Sequence, residues 1–333
     1  MTLKELAEEL NMSTTTVSRV LTGQEKKYRI SDKTADKVRA MAKVHQFAPN
    51  QIARNLRLQK TNTIGLIIPD ISNPFFANLA RTVEVELRKR GKMVLLCDTK
   101  DETELERESL SLLMGRKVDG LLIAPIGKEH HHLIQQPEIP IVLIDRYFED
   151  QDLSFVTTDN FLGACIATDF LIEKGHRNIA CIQGLLKTTP NEGRVSGYKK
   201  TMLDNGLSDY IKVIGEDYSI ANGYESTKTL LSLPEVPTAI FSLNNQISMG
   251  VMKALKEHRL EVPGEVSLIS FDDQPYFDLL SPPLTAIKQP MSEIGRAAVA
   301  TLFELLEGNH PPNQMLKPLF VERSSVAPIY QKP

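Results

Sequence analysis

Short runs of apolar, largely β-branched residues recur along the chain from residue 61 onward. Eight of them read TIGLIIPD, MVLLCD, DGLLIAP, PIVLID, SFVTTD, NIACIQG, TAIFSL and VSLISFD. The runs do not alternate with polar residues, which indicates strands covered on both faces, and helical patterns separate them. The alternation of strands and helices predicts parallel sheets. Eight strands in about 210 residues are better divided between two sheets than crowded into one, given usual domain sizes.

Several of these runs end in polar side chains. In open parallel sheets, ligands bind outside the carboxyl ends of the strands. Two lobes that present such ends to each other would therefore form a cleft with polar walls. The polar residues at the run ends are Asp70, Asp98, Asp145, Asp159, Asn244 and Asp272.

The composition excludes several classes of protein. Hydrophobic residues make up 41% and charged residues 24% of the 333, which is ordinary for a globular chain. No apolar run approaches the length of a membrane span, and the start MTLKELAEELN is acidic and amphipathic rather than a signal peptide. We therefore expect a soluble, cytoplasmic protein without a membrane partner.

Enzyme and metal signals are weak. The chain contains no GxSxG, HExxH, GxxxxGK[ST] or GxGxxG motif. Its three cysteines form no CxxC pair, and the neighbouring side chains of His130, His131 and His132 diverge on a helix and cannot easily share an ion. We predict no catalytic residues, no metal and no cofactor.

Charge is divided unevenly along the chain. Residues 1–60 contain 12 lysines and arginines against 6 acidic residues, a net charge of +6, whereas the remainder contains 27 against 36, a net charge of −9. A basic head on an acidic body indicates that the head meets a polyanion. A solvated basic face is the alternative interpretation of the charge alone.

The basic head begins with a pattern typical of a helix-turn-helix. Thr2 and Glu5 form a capping box for a first helix, and Ser13 is placed to cap a second. The stripe of Val17, Val20 and Leu21 is expected to be buried, so Thr14, Thr15, Ser18 and Arg19 should face outward. The first turn of such a second helix enters the major groove, where hydroxyls, methyls and an arginine read bases. A helical hairpin with a polar outer face is the alternative.

The segment FAPNQIARNLRLQK follows a third helix, which Ser31 is expected to cap. Residues 51–58 can form a helix too short to be stable alone, since isolated helices need about 12 residues. Its apolar face with neighbouring arginines is typical of a wedge that enters the minor groove. A linker helix resting on the body is the alternative.

Four segments together carry a family resemblance. They are TLKELAEELNMSTTTVSRVL, FAPNQIARNL, IGLIIPDISNPFFANLARTVE and LFVERSSV. On these motifs the chain resembles the LacI/GalR family of bacterial transcription regulators over essentially its whole length. The first segment is most similar to the purine repressors of that family and the third to its catabolite control proteins. One departure is a loop, residues 23–30, that is about three residues longer than in the purine repressors.

The resemblance implies an α/β fold with an all-α helix-turn-helix headpiece and a two-lobed, periplasmic-binding-protein-like core built on parallel sheets. It implies a headpiece over residues 1–47 and a hinge helix with linker over 48–60. The N-terminal lobe would comprise 61–160 plus 290–320, and the C-terminal lobe 161–289 plus 321–333.

The resemblance also implies positions for two sites. The expected DNA-binding residues are Thr14, Thr15, Arg19, Asn50, Arg54 and Leu56. The expected effector-binding residues are Asn73, Phe75, Arg146, Arg194, Tyr218, Asn244 and Asp272. The charged pair Arg194 and Asp272 could instead form an ion pair, and Phe75 with its neighbour Phe76 could simply belong to the core.

These observations predict a homodimeric, sequence-specific DNA-binding repressor. Its partners would be a pseudo-palindromic operator duplex and a small effector, namely a sugar, a sugar phosphate or a nucleobase, held between the lobes. A sugar-binding receptor without DNA function is the alternative from another class, and an enzyme acting on sugars or nucleosides is a third.

Overall fold

In its computed structural model, the chain forms two units, and the boundary between them lies between Thr61 and Asn62. The structure describes residues 1–47, 60–126, 139–149 and 152–329. The expected hinge helix and three of the expected DNA contacts lie outside these residues and stay predictions: Asn50, Arg54 and Leu56. Within the described ranges, no helix is both long and apolar enough to cross a membrane.

Three capped helices form the first unit. They are α1 (Leu3–Glu9), α2 (Thr14–Leu21) and α3 (Asp32–Val44). The predicted capping box is present, since the Glu5 amide donates to the Thr2 hydroxyl at 3.2 Å and the Thr2 amide to the Glu5 carboxylate at 2.9 Å. Ser13 caps α2 by accepting from the Thr16 amide at 3.0 Å, and Ser31 caps α3 in the same way. These caps satisfy amides that have no partner inside a helix.

The headpiece core contains the predicted apolar stripes. Val17 and Val20 of α2 are fully buried, whereas Leu21 lies at the edge of the core. The other buried members are Leu6, Ala7, Leu10, Ala35, Val38 and Ala42. Because the two valines face inward, the opposite face of α2 is presented to solvent, and Thr14 and Thr15 are exposed there.

The first sheet of the core unit is parallel, with the strand order β11-β5-β4-β3-β1-β2 among the described residues. Its strands are β1 (Thr63–Ile68), β2 (Met93–Asp98), β3 (Gly120–Ile123), β4 (Ile141–Ile144), β5 (Ser154–Thr158) and β11 (Gln314–Leu316). Helices α4 (Pro74–Lys89) and α10 (Met291–Leu306) cover one face, and α5 (Thr103–Gly115) covers the other. Leu66 in β1 lies between Leu96 and Leu122, which fixes the register at the centre of the sheet.

The second sheet has the strand order β12-β10-β9-β8-β6-β7 among the described residues. Its strands are β6 (Ile179–Ile182), β7 (Lys212–Ile214), β8 (Ala239–Ser242), β9 (Ser267–Phe271), β10 (Thr285–Lys288) and β12 (Leu319–Val321). Helices α6 (Asn160–Glu173) and α7 (Thr189–Asp204) cover one face, while α8 (Ile220–Leu231) and α9 (Asn245–Glu257) cover the other. Two 3₁₀ turns, Ser208–Tyr210 and Pro275–Leu279, complete this lobe.

The chain passes three times between the two lobes. It crosses after β5 into α6, after β10 into α10, and between Leu316 and Leu319. The third crossing comes slightly before the expected boundary at 320, because Leu319 already pairs with Lys288 in the second sheet. That pairing of β10 with β12 is antiparallel, whereas the other described pairings in both sheets are parallel.

Two features differ from the sequence prediction. The run MVLLCD was expected to be covered on both faces, yet β2 is an edge strand in which Met93 and Leu96 are exposed. Four strands, β7, β10, β11 and β12, were not predicted. Each has three or four residues, so pairing with a neighbouring strand rather than a long apolar run defines it.

Candidate functional site

A cavity lies between the two lobes of the core unit. The cavity has a volume of about 30 Å³, far below the roughly 300–1,000 Å³ of pockets for drug-sized ligands. Its size in this conformation is too small for a monosaccharide, so the chemistry of its lining residues, rather than its volume, bears on the ligand. The residues that line it are Asn73, Phe75, Phe76, Asp145, Arg146, Pro190, Arg194, Tyr218, Asn244, Asp272 and Gln289. All seven residues expected from the sequence to bind an effector are among them, and their role in binding stays a prediction.

Strand ends and helix starts bring these side chains together. Asp145 and Arg146 follow β4, Asn244 follows β8, and Asp272 follows β9. Asp145 and Asp272 both adopt left-handed backbone conformations, with φ of 63° and 69°. Such conformations are uncommon outside glycine and concentrate at functional sites. Each lobe thus places one buried carboxylate in the turn that follows a strand.

Two buried arginines contribute positive charge to the cavity. The Arg146 Nη1 atom donates to the Asp101 carboxylate at 2.9 Å, while its Nε atom has no hydrogen-bond partner among the described residues. Arg194 donates from Nε to the Asn160 side chain at 2.8 Å, and its guanidinium lies 3.7 Å from the ring centre of Phe271. Contacts of this kind hold the planar guanidinium groups in fixed orientations.

The two carboxylates are electrostatically coupled to these arginines. Burial raises the pKa of Asp145 to about 6, although Arg146 and Arg194 lower it. Burial also raises the pKa of Asp272, while Arg194 and a hydrogen bond from Gln289 lower it. The Gln289 side-chain amide donates to Asp272 at 2.6 Å. The cavity therefore combines two cations with two carboxyl groups rather than an excess of either sign.

Tyr218 provides an aromatic wall that depends on a glycine. A Cβ at Gly184 would lie 1.9 Å from the Cε1 atom of Tyr218, so only glycine allows the ring to pack against this strand end. The Tyr218 hydroxyl lies near Thr188 but makes no hydrogen bond of normal geometry to a described residue. A buried hydroxyl without a partner is available to a ligand.

The phenylalanines and asparagines have structural roles as well. Phe75 and Phe76 pack edge to face at 4.9 Å and belong to the core beneath α4, so the two interpretations of Phe75 are compatible. Asn73 caps α4 by accepting from the Phe75 amide. Asn244 caps α9 and donates to the Tyr218 carbonyl at 3.2 Å. Much of the Asn244 amide is therefore used inside the protein.

Four lining residues were absent from the predicted set: Phe76, Asp145, Pro190 and Gln289. Asp145 had a signal, because it ends an apolar run and directly precedes Arg146. Gln289 had none, since it follows β10, whose short sequence did not indicate a strand. In the structure the Gln289 carbonyl oxygen accepts from the Thr158 hydroxyl at 2.6 Å, which joins two of the segments that cross between the lobes.

The described half of the expected DNA-binding site lies on α2. Thr14 and Thr15 are exposed in its first turn, and Arg19 is partly exposed one turn later. The Arg19 guanidinium lies 3.7 Å from the ring centre of Tyr28. The surface of α2 thus presents two hydroxyls, two methyls and one cation, which are groups that can contact base edges.

Comparison with known proteins gives consistent results for both units. Residues 2–50 match the model of bacterial regulatory proteins of the lacI family, and residues 168–326 match the periplasmic binding protein-like domain. The ribose operon repressor of Escherichia coli (strain K12) is 35% identical over 97% of this chain and 99% of its own length.

Two solved structures are also similar. The lac repressor dimer bound to operator and the anti-inducer ONPF has a TM-score of 0.88 at 25% identity, covering 98% of this chain and 99% of that one. A LacI family transcriptional regulator from Enterococcus faecium with bound ribose has a TM-score of 0.74 at 28% identity, covering 80% and 100%.

Proposed function

Because the chain belongs to the lacI family of bacterial regulatory proteins and is a DNA-binding transcription regulator, we propose that it is a repressor controlled by a small neutral sugar bound between its core lobes. The observation that carries the proposal is the charge-balanced cavity with its aromatic walls. We further propose that it acts in the cytoplasm as a homodimer on a pseudo-palindromic operator, since a two-fold dimer reads the same bases twice.

The balance of charge favours a neutral ligand over an anionic one. Arg146 is already paired with Asp101, and Arg194 lies close enough to Asp272 to lower the pKa of that carboxyl. Sugar hydroxyls can donate to a carboxylate and accept from a guanidinium at the same time. An anionic phosphate would be repelled by the two buried carboxylates. It would gain little from the two arginines, because carboxylates already balance their positive charge. Of the three effector classes expected from the sequence, the balance of charge therefore disfavours the sugar phosphate.

Ribose, or a pentose like it, is the effector that we propose. A relative at 35% identity is a ribose operon repressor, and a structural neighbour contains bound ribose. The aromatic residues Phe75, Phe76 and Tyr218 supply apolar faces for the C–H surface of a sugar ring.

A thermal-shift comparison of ribose, ribose 5-phosphate and adenine on the full-length protein tests this proposal. A ligand that binds only the folded state stabilises it by about 2.7 kcal/mol at 100 times its Kd. Stabilisation by ribose but not by the phosphate at equal concentration supports a neutral pentose. Stabilisation by the phosphate alone would refute the charge-balance argument. Salt-sensitive binding to duplex DNA, measured in parallel, separates the DNA function from the identity of the effector.

Hydrogen bonds connect the cavity to the segments that cross between the lobes. Gln289 accepts from Thr158 and donates to Asp272, while Asn160 donates to the Thr158 carbonyl and accepts from Arg194. A sugar held by Arg146 of the first lobe and by Arg194 and Asp272 of the second would therefore stabilise one angle between the lobes. We propose that this angle sets the spacing of the two headpieces of the dimer, with a coupling of about 1–3 kcal/mol.

The affinity for ribose is expected to depend on pH through Asp145. Only the ionised carboxylate accepts two sugar hydroxyls, and its pKa is about 6. The affinity should therefore fall as the pH falls through about 6, approaching a tenfold loss per pH unit below it. Calorimetric titration from about pH 7.5 to about pH 5 measures this change.

Asp145→Asn is the control, because it removes the titrating group, and it should flatten the profile in this pH range. A wild-type affinity that does not vary between these limits would contradict the assignment of Asp145 to the ligand. Protein stability changes in the opposite direction with pH. The raised pKa means that Asp145 favours the folded state below its ordinary value of 3.8 and loses that contribution as the pH rises through about 6.

A further inference from the structure

The loop over residues 23–30 is a hydrogen-bonded turn in the structure. The Gln24 amide donates to the Arg19 carbonyl at 2.9 Å, which ties the start of the loop to the end of α2. The Tyr28 amide donates to the Gln24 carbonyl at 3.1 Å, and the Ile30 amide to the Glu25 carbonyl at 2.9 Å. The extra length of this loop is therefore folded against α2 in a defined conformation.

Two side chains anchor this loop to the rest of the headpiece. The largely buried Glu25 carboxylate accepts a hydrogen bond from Arg39 of α3. A backbone hydrogen bond and the Arg39 contact hold the pKa of Glu25 below its ordinary value. Ile30 packs against the apolar core formed by the three helices. The loop thus holds Tyr28 at a fixed position relative to α2.

The ring of Tyr28 lies on the guanidinium of Arg19. The distance from the Arg19 Cζ atom to the ring centre is 3.7 Å, within the range for a cation–π contact. The Lys27 ammonium is 5.8 Å from the same ring centre on its own flexible stem. Stacking occupies one face of the planar guanidinium, whereas its hydrogen bonds are made along the edges. A stacked arginine can therefore still bind a base through two parallel hydrogen bonds.

We propose that Tyr28 is a positioning residue that orients Arg19 for reading one base, so that the longer loop contributes to operator specificity. The inference rests on the proposed DNA-binding function of Arg19. A free arginine loses rotamer freedom when it forms a bidentate contact with guanine, and an arginine held by a ring has already lost part of it. The ring acts through Arg19 and does not itself contact a base.

The test uses the full-length protein and duplexes that the wild type selects from a random library. The wild type and Arg19→Ala are then tested on single-base variants of the selected duplex. The base pair of interest is the one whose substitution weakens binding of the wild type but not of Arg19→Ala. Affinities are then measured for Tyr28→Leu, Tyr28→Phe, Arg19→Ala and the double variant Arg19→Ala with Tyr28→Leu. Thermal melting monitored by circular dichroism confirms that each headpiece is folded.

Tyr28→Leu should reduce discrimination at that base pair about two- to five-fold per half-site. This factor corresponds to the free energy of one exposed cation–π contact. The effect should disappear in the Arg19→Ala background, because the arginine that the ring positions is then absent. Tyr28→Phe keeps the ring and should preserve the wild-type discrimination. Non-additivity and rescue by phenylalanine together support a positioning role, because a general structural defect would produce neither result.

Four outcomes would overturn the inference. Equal losses from Tyr28→Leu in both backgrounds, or equal losses on every duplex, would show that the ring does not act through Arg19. A loss in Tyr28→Phe as large as in Tyr28→Leu would assign the effect to the hydroxyl. If Arg19→Ala leaves all sequence preferences unchanged, the base-reading role of Arg19 fails first, and the inference fails with it.

Discussion

Asp272→Asn is expected to weaken ribose binding by about 2–5 kcal/mol, or at least roughly 30-fold, while the protein remains folded. Asp272 is buried at the end of β9, where it accepts from Gln289 and lies close to Arg194. The carboxylate can accept from these groups and from a sugar together. An amide of the same shape has a single acceptor oxygen and would turn a donor toward one of its present partners.

Asparagine is a better test than alanine at this position. Asp272→Ala would remove the acceptor for Gln289 and leave Arg194 buried with less compensating charge. Loss of one partner of a buried charged pair commonly costs about 3–5 kcal/mol of stability, so a fall in binding would be hard to separate from unfolding. Asp272→Asn keeps the volume and one of the acceptors, and it removes the negative charge that the ligand is proposed to need.

Asp273→Asn provides the matched control. Asp273 is the next residue along the chain and is also buried, but it pairs with Arg323 at 2.8 Å and does not line the cavity. Its substitution should reduce the melting temperature and leave the ribose affinity within about two-fold of the wild type. Calorimetric titration of ribose, with thermal melting of each unliganded variant, measures both quantities. Normal ribose binding by a folded Asp272→Asn protein would show that the effector binds elsewhere.

The two sheets illustrate which strands a sequence can reveal. The central strands β1, β3, β4, β6, β8 and β9 are predominantly apolar because helices cover both of their faces. The edge strands β7, β11 and β12 have one partner each and need only three residues, so their composition is unremarkable. β10 lies inside the sheet but is only four residues long and ends in the exposed Lys288. Pairing partners distant in sequence define all four.

The cavity residues also divide into those that the sequence reveals and those that it does not. Asp145, Asn244 and Asp272 end or follow recognisable runs, so the rule for parallel sheets places them at the carboxyl ends of strands from the sequence alone, Asp145 in the first sheet and the other two in the second. Asn73, Arg194 and Tyr218 were assigned by family resemblance, because nothing in their local patterns separates them from surface residues. Gln289 was missed because its position depends on a strand that the sequence does not reveal. Such residues become visible only when the lobes are assembled.

Arg19→Ala is expected to remove sequence preference at one base pair of each half-site. An arginine that binds guanine through two hydrogen bonds contributes about 1–3 kcal/mol of discrimination, so a dimer on two half-sites should lose about 2–6 kcal/mol on its preferred duplex. The position of Arg19 on the exposed side of α2, opposite the buried Val17 and Val20, supports this role. Affinities for the selected duplex and its single-base variants measure the change.

Lys26→Ala is the matched control for charge. Lys26 is an exposed cation in the loop that follows α2 and makes no contact with Arg19 in the described structure. A lysine that meets phosphate contributes equally on every sequence, so its loss should weaken all duplexes alike and reduce the salt dependence by about one ion. Arg19→Ala should instead weaken binding to the preferred duplex far more than binding to the single-base variant of the duplex that lacks the guanine. If the two substitutions lower all affinities by the same factor, Arg19 is a phosphate contact, and the specificity of α2 must come from Thr14 and Thr15.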